Sequence, residues 1–166
     1  MRLGVEKAIL YKARPALRGT LAADRRLSHW KGALHMEHPN LFDQLDASGR
    51  LRLPGADAAF GDLPWNPHPD FEGVELKHLI TKRETGGLFS CHLVRVAPGK
   101  AIGTHAHPTQ TELHEVAAGS GICLSGGARL VYEPGVVSIL PKEEPHRVEA
   151  GPEGLCLLAK FIPALL

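Results

Sequence analysis

From Leu88 to the C-terminus the chain is a succession of short apolar runs, rich in valine, leucine and isoleucine and cut by glycine and proline. That rhythm predicts an all-β fold of the sandwich or barrel type. Strands are expected at Leu88 to Val96, Leu113 to Ala117 and Val136 to Leu140, and again at His146 to Glu149 and Leu155 to Ile162. Ile122 to Leu124 and Arg129 to Tyr132 flank Gly126 and Gly127 as a hairpin. Gly119 to Gly121 reads as a turn, and Pro141 to Pro145 as a loop. Upstream, Val74 to Ile80 reads as a strand, followed by a turn at Gly86 and Gly87.

Within this β text one stretch carries chemistry. His105 and His107 are separated by one residue, so on an extended strand both imidazoles project from the same face. Glu112 follows a short bend at Pro108. Two imidazoles and a carboxylate brought together on a β-scaffold outline a first-row metal site. His114 and Gln110 share the parity of Glu112. His114 is therefore a candidate acid/base or a hydrogen-bonding neighbour, and Gln110 a candidate substrate contact.

The near-neutral formal charge of +1 gives no support for nucleic acid or an anionic membrane as partner. No apolar run approaches the roughly 20 residues of a spanning helix. Glu6, Lys7, Lys12 and Arg14 interrupt any secretory-signal layout at the start, so a cytoplasmic location is expected. Cys91, Cys123 and Cys156 are odd in number and widely spaced, each in an apolar run. They read as buried small side chains, not as a disulfide framework or a zinc ribbon. No phosphate-cradling glycine loop and no serine-centred elbow is present.

A second stretch, Gly135, Pro141 and His146, combines with the first (Gly99, His105, His107, Glu112, Gly119) into a two-motif pattern. With it the chain resembles the cupin superfamily, in particular the small single-domain microbial cupins, over about residues 71–166. The second motif departs from the usual pattern. Glu143 stands where a glycine is usual, and Ala150 where an asparagine is usual. The resemblance implies a jelly-roll β-barrel in which His105, His107, Glu112 and His146 bind one divalent first-row transition metal: iron, manganese, nickel, cobalt or zinc. It also implies a small polar organic ligand at the metal and a homodimer. The expected function is a metal-dependent enzyme of oxygenase, decarboxylase, isomerase or lyase type. The alternative is a non-catalytic module that binds or senses a sugar or carboxylate.

Residues 1–70 read as an N-terminal extension of short helices and a Pro/Gly-rich arm, and residues 71–166 as the cupin domain. Pro15 to Leu34 has roughly helical apolar spacing. A second helix is expected after Pro39, capped by Asn40 and stopped at Ser48 and Gly49. Residues 50–70 read as an arm crossing a surface, with Trp65 as its large anchor. His29, His35, His38 and His68 lie outside the resemblance and His78 outside its two motifs; all five read as surface or packing residues.

Overall fold

Asn40 opens the first element of the computed structural model, which describes residues 40–166. The expected helix from Pro15 to Leu34 lies outside the described residues. The Asn40 side chain accepts the backbone N–H of Asp43 at 3.0 Å, capping helix α1 (Leu41–Ser48) at the position read from the sequence. Gly49 follows, where any side chain would strike the Leu45 backbone and the Phe60 ring. The next segment is more regular than expected. Arg50–Leu53 (β1) and Ala56–Ala59 (β2) form a hairpin across Pro54 and Gly55. Gly55 supplies the left-handed backbone, at φ +80°, that a tight reversal needs. A 3-10 turn at Phe60–Asp62 and a two-residue strand β3 (Asn66–Pro67) complete it.

The remaining strands are β4 (Val74–Ile80), β5 (Ser90–Val96), β6 (Ala101–His105), β7 (Thr111–Ser125), β8 (Ala128–Tyr132), β9 (Val137–Leu140) and β10 (His146–Ile162). Between β4 and β5 a four-residue helix α2 (Lys82–Thr85) replaces the plain turn, held by a capping box between Thr81 and Glu84. The strands from β3 to β10 form one antiparallel sheet of eight, ordered β3-β4-β5-β10-β7-β8, with β6 added to β10 and β9 to β7.

β7 and β10, of 15 and 17 residues, are the longest strands, and each bends between two layers. The first part of β7 pairs with β9 and with the last part of β10, which also pairs with β5. The second part of β7 pairs with β8 and with the first part of β10, which also pairs with β6. The bend falls at Gly119–Gly121, expected as a turn, and in the interval between Glu149 and Leu155 that separates two expected strands. The ladder slips register between Ala150 and Leu155, and Gly119 and Gly154 take φ of +75° and +81°. A Cβ on Gly119 would collide with the backbone carbonyl of Gly154, so the crossing requires glycine twice over. The outer strands do not meet, so the expected barrel is a folded-over jelly-roll sheet that hydrogen bonds leave open.

Period-two alternation sorts the side chains between two cores. Val74, Val94, Val96, Val116, Leu157, Ala159 and Phe161 point between the layers and pack with Ile102, Tyr132, Leu140 and Val148. On the opposite face of β4, β5 and β10, Leu79, Leu93 and Leu158 meet Phe42, Phe60 and Trp65 from the arm. Lys77 is buried in this outer layer at 3% exposure. Its ammonium pairs with Asp46 of α1 and donates to the Phe60 carbonyl at 3.1 Å. The Trp65 indole N–H donates to Asp46, and the Arg95 guanidinium stacks 4.2 Å from the Trp65 ring centre. The arm is thus docked by a satisfied buried charge as well as by apolar area. Among the described residues no helix is long and apolar enough to cross a membrane.

Candidate metal centre

His105 ends β6 and His146 begins β10, and the two residues are directly opposite in the ladder. Glu112 lies near the start of β7, on the inward face with His114 and Val116. His107 falls just past the end of β6 and not on an extended strand, so the parity argument holds for His105 alone. The bend after it still returns the imidazole to the group, with the His105 and His107 ring centres 4.9 Å apart. One donor atom from each of His105, His107, Glu112 and His146 lies within 4.8 Å of all the others.

The loop that presents His146 shows how the unusual Glu143 is accommodated. Glu143 has φ +65°, the left-handed conformation that a glycine would take without strain. Its backbone N–H donates to the His107 carbonyl at 2.8 Å, which ties the loop to the chain carrying the other imidazoles. The substitution keeps the geometry of the motif and stores strain in it.

Hydrogen bonds around the cluster set its protonation pattern. His105 Nδ1 donates to the Gly103 carbonyl at 2.9 Å, and His146 Nδ1 donates to the Glu144 carbonyl at 3.0 Å. In its neutral form each ring presents the Nε2 lone pair, the form that ligates a cation. Burial lowers the His146 pKa, but the Glu112 carboxylate and the Glu144 carbonyl outweigh it and raise it above its ordinary value, so a cation there must displace a proton that Glu112 favours. His107 Nε2, Glu112 Oε2 and His146 Nε2 are buried without a hydrogen-bond partner. The two imidazole nitrogens lie 3.2 and 3.1 Å from Oε2. Three buried polar atoms left unsatisfied at one point are costly unless something else satisfies them, and a divalent cation is the group that all three suit. Burial pushes the Glu112 carboxyl up, but the neighbouring His114 and the close imidazoles outweigh it and hold the carboxyl well below the usual range. Burial also holds His105 below its ordinary value, towards the neutral ligand form.

Behind Glu112 runs a directional chain. His114 Nε2 donates to Glu112 Oε1 at 2.7 Å, and His114 Nδ1 accepts from the Tyr132 hydroxyl at 2.9 Å. Tyr132 in turn accepts from Ser138 at 2.5 Å. His114 and Tyr132 are 2% and 0% exposed, so these bonds have no competition from water. The chain engages one oxygen of Glu112 and leaves the other for the cluster. Both nitrogens of His114 are occupied, which suits a positioning residue. Gln110 lies in the loop before β7 and is not among the residues that line the cavity.

The cavity over the cluster measures about 80 Å³ and is lined by His68, His105, His107, Glu112 and His114, with apolar side chains from β4, β5, β6 and the C-terminal segment. At ~30 Å³ per water, it holds about two to three waters or a ligand of similar bulk. His68, read from the sequence as surface or packing, is one of these lining residues. No periodicity could have found it, because it precedes β4 in an irregular turn. His78 and His92 form a separate contact, Nδ1 to Nδ1 at 2.9 Å, and burial lowers His92 to about 4. The three cysteines are free, and burial raises the Cys91 thiol to about 11, far from the thiolate that nucleophilic chemistry needs.

Comparison with known proteins agrees with the geometry. The sequence profile of the cupin domain family matches residues 92–159. No protein of curated function has a matching sequence. Among solved structures, a predicted oxalate decarboxylase from Thermotoga maritima is similar at TM-score 0.58 and 23% identity, over 62% of this chain and 95% of that one. An RmlC-like cupin from Shewanella frigidimarina gives TM-score 0.55 and 18% identity, over 63% and 87%. Ectoine synthase from P. lautus gives 0.52 and 21%, over 58% and 68%. At these identities the likeness is one of fold.

Proposed function

The chain belongs to the cupin superfamily, and from that premise we propose that it is a mononuclear metal-dependent enzyme acting on a small polar organic substrate. His105, His107, Glu112 and His146 hold one divalent first-row transition ion. The observation that carries this reading is the convergence of three buried, unpartnered donor atoms with a fourth donor within 4.8 Å. Three neutral imidazoles and one carboxylate would leave a divalent ion with net charge +1, able to take oxygens of a small ligand beside its four protein donors. Bound there, the ion would supply Lewis acidity or an oxygen-activating centre. The chain's own residues do the rest. His114 orients Glu112, the apolar walls exclude bulk water, and the cavity limits the size of what enters. The fold is shared with a predicted oxalate decarboxylase and an ectoine synthase, which supports an enzymatic use of the scaffold.

One observation favours a second reading, a metal-assisted binding or sensing module for a sugar or carboxylate. With both nitrogens of His114 engaged, the acid/base group expected there is committed to Glu112 and Tyr132. The first experiment is element analysis of the protein purified without added metal, beside a His105→Ala, His107→Ala double variant. The proposal expects near-stoichiometric metal in the first and none in the second. Equal substoichiometric metal in both defeats it.

A further inference from the structure

The cavity contains one polar side chain that the cluster and its hydrogen-bond chain do not use. His68 stands in the turn between β3 and β4, outside the residues matched by the family profile. Two contacts fix its place. Its backbone N–H donates to the Val74 carbonyl at 2.8 Å, and its ring stacks on Phe71 with centres 4.4 Å apart and planes at 25°. Phe71 in turn packs against His105 at 5.8 Å. The ring is therefore clamped one aromatic layer away from the cluster, and it lines the same cavity.

Its tautomer is set as well. His68 Nδ1 accepts the backbone N–H of Asp70 at 3.1 Å. In the neutral ring the proton then sits on Nε2, which meets no acceptor among the described residues. Burial lowers the ring's pKa, with Asp70 opposing, so the neutral donor form is favoured and does not repel a nearby cation. The walls beside it are apolar: Val74, Leu76, Val94, Ile102, Phe161 and Leu165. A ring with an unengaged N–H, lining a small and largely apolar cavity that it shares with a site whose metal-loaded charge would be +1, favours a compact anion with an oxygen to spare.

We propose that His68 is a ligand-binding residue of this cavity, its Nε2–H donating to an oxygen of a small monocarboxylate, of the 2-oxo acid type, held at the four-residue cluster. This rests on the metal-binding reading above and adds the substrate class and a specificity-determining residue to it. A carboxylate neutralises the +1 site, and a 2-oxo acid is about the bulk that the cavity holds.

The test uses the full chain loaded with one equivalent of Co(II) and titrated with pyruvate, followed by calorimetry and by the visible absorption of the metal. His68→Phe keeps an aromatic ring on Phe71 and removes the donor. His68→Gln restores an N–H donor without the imidazole. Co(II) affinity should be unchanged in both variants. Pyruvate binding should weaken about tenfold or more in His68→Phe, as expected for a hydrogen bond to a charged group, and recover in part in His68→Gln. Equal pyruvate affinity in the wild type and a Co(II)-loaded His68→Phe overturns the inference, as does a Co(II)-loaded wild type that does not bind pyruvate. A wild type that takes up no Co(II) overturns the metal reading itself, and this inference with it.

Discussion

The two faces of the sheet each bury a charge, and they treat it in opposite ways. On the outer face Lys77 is closed in by α1 and the 3-10 turn, and its ammonium meets a carboxylate and a backbone carbonyl. On the inner face Glu112 has one oxygen engaged by His114 while the other faces imidazole nitrogens without a hydrogen bond. A buried charge whose partners are complete holds structure together. A buried charge whose partners all stop short of bonding one another is arranged for something that is not protein. The difference separates the arm's anchor from the candidate centre without appeal to motif.

The sharpest way to break this comparison is to remove both kinds of partner. Glu112→Ala combined with His146→Ala should abolish the stabilisation that metal gives. At a thousandfold excess over Kd that is about 4 kcal/mol. Denaturant unfolding of the metal-free protein should change far less, and a metal-dependent rise in Tm that survives the double variant would place the ion elsewhere. Asp46→Ala should do the reverse. It leaves Lys77 buried with only carbonyls, and because Asp46 itself is partly exposed the cost should be about 2–3 kcal/mol. Metal affinity should stay at the wild-type value, as read by competition with a chelator.

The chain behind Glu112 tests the inner face more finely. Tyr132→Phe removes the donor that fixes the His114 tautomer, and should lower metal affinity tenfold to a hundredfold. Unchanged affinity would show that Glu112 needs no support from this side. The smallest effect belongs to the loop before His146. Glu143→Gly relieves a left-handed backbone at φ +65° and should stabilise the protein by about 0.5–1 kcal/mol. A loss of stability there would mean that the Glu143 side chain contributes more than its backbone costs.

The candidate ligands were legible because their signal is chemical and local: residue types at fixed short intervals, with glycine and proline marking the turns. The bends in β7 and β10 were not. Gly119, Gly121, Gly151 and Gly154 read individually as ends of strands, and only the pairing of two long strands shows that they mark a shared crossing. The hairpin at β1 and β2 was hidden for a related reason, since Pro54 and Gly55 announce a turn, but the alternation of Arg50–Leu53 lasts only four residues and the alanine-rich Ala56–Ala59 opposite has no β-formers. The Thr81 and Glu84 capping box was visible as a pattern and simply too short to suggest a helix. His68 was out of reach because its role comes from tertiary placement: the turn, the Phe71 stack and the Asp70 N–H together bring it to the cavity.

The bend has a mechanical consequence. Glu112 belongs to the half of the sheet that includes β9, whereas His105 and His146 belong to the half that includes β6. The outer strands of those halves do not pair. A cation gripped from both sides would act as a clasp across an otherwise unlaced seam. Loading it should damp the breathing of the open end, so amide exchange around residues 105, 112 and 146 ought to slow together. The empty and loaded proteins would then differ most in how stiffly they meet whatever they bind.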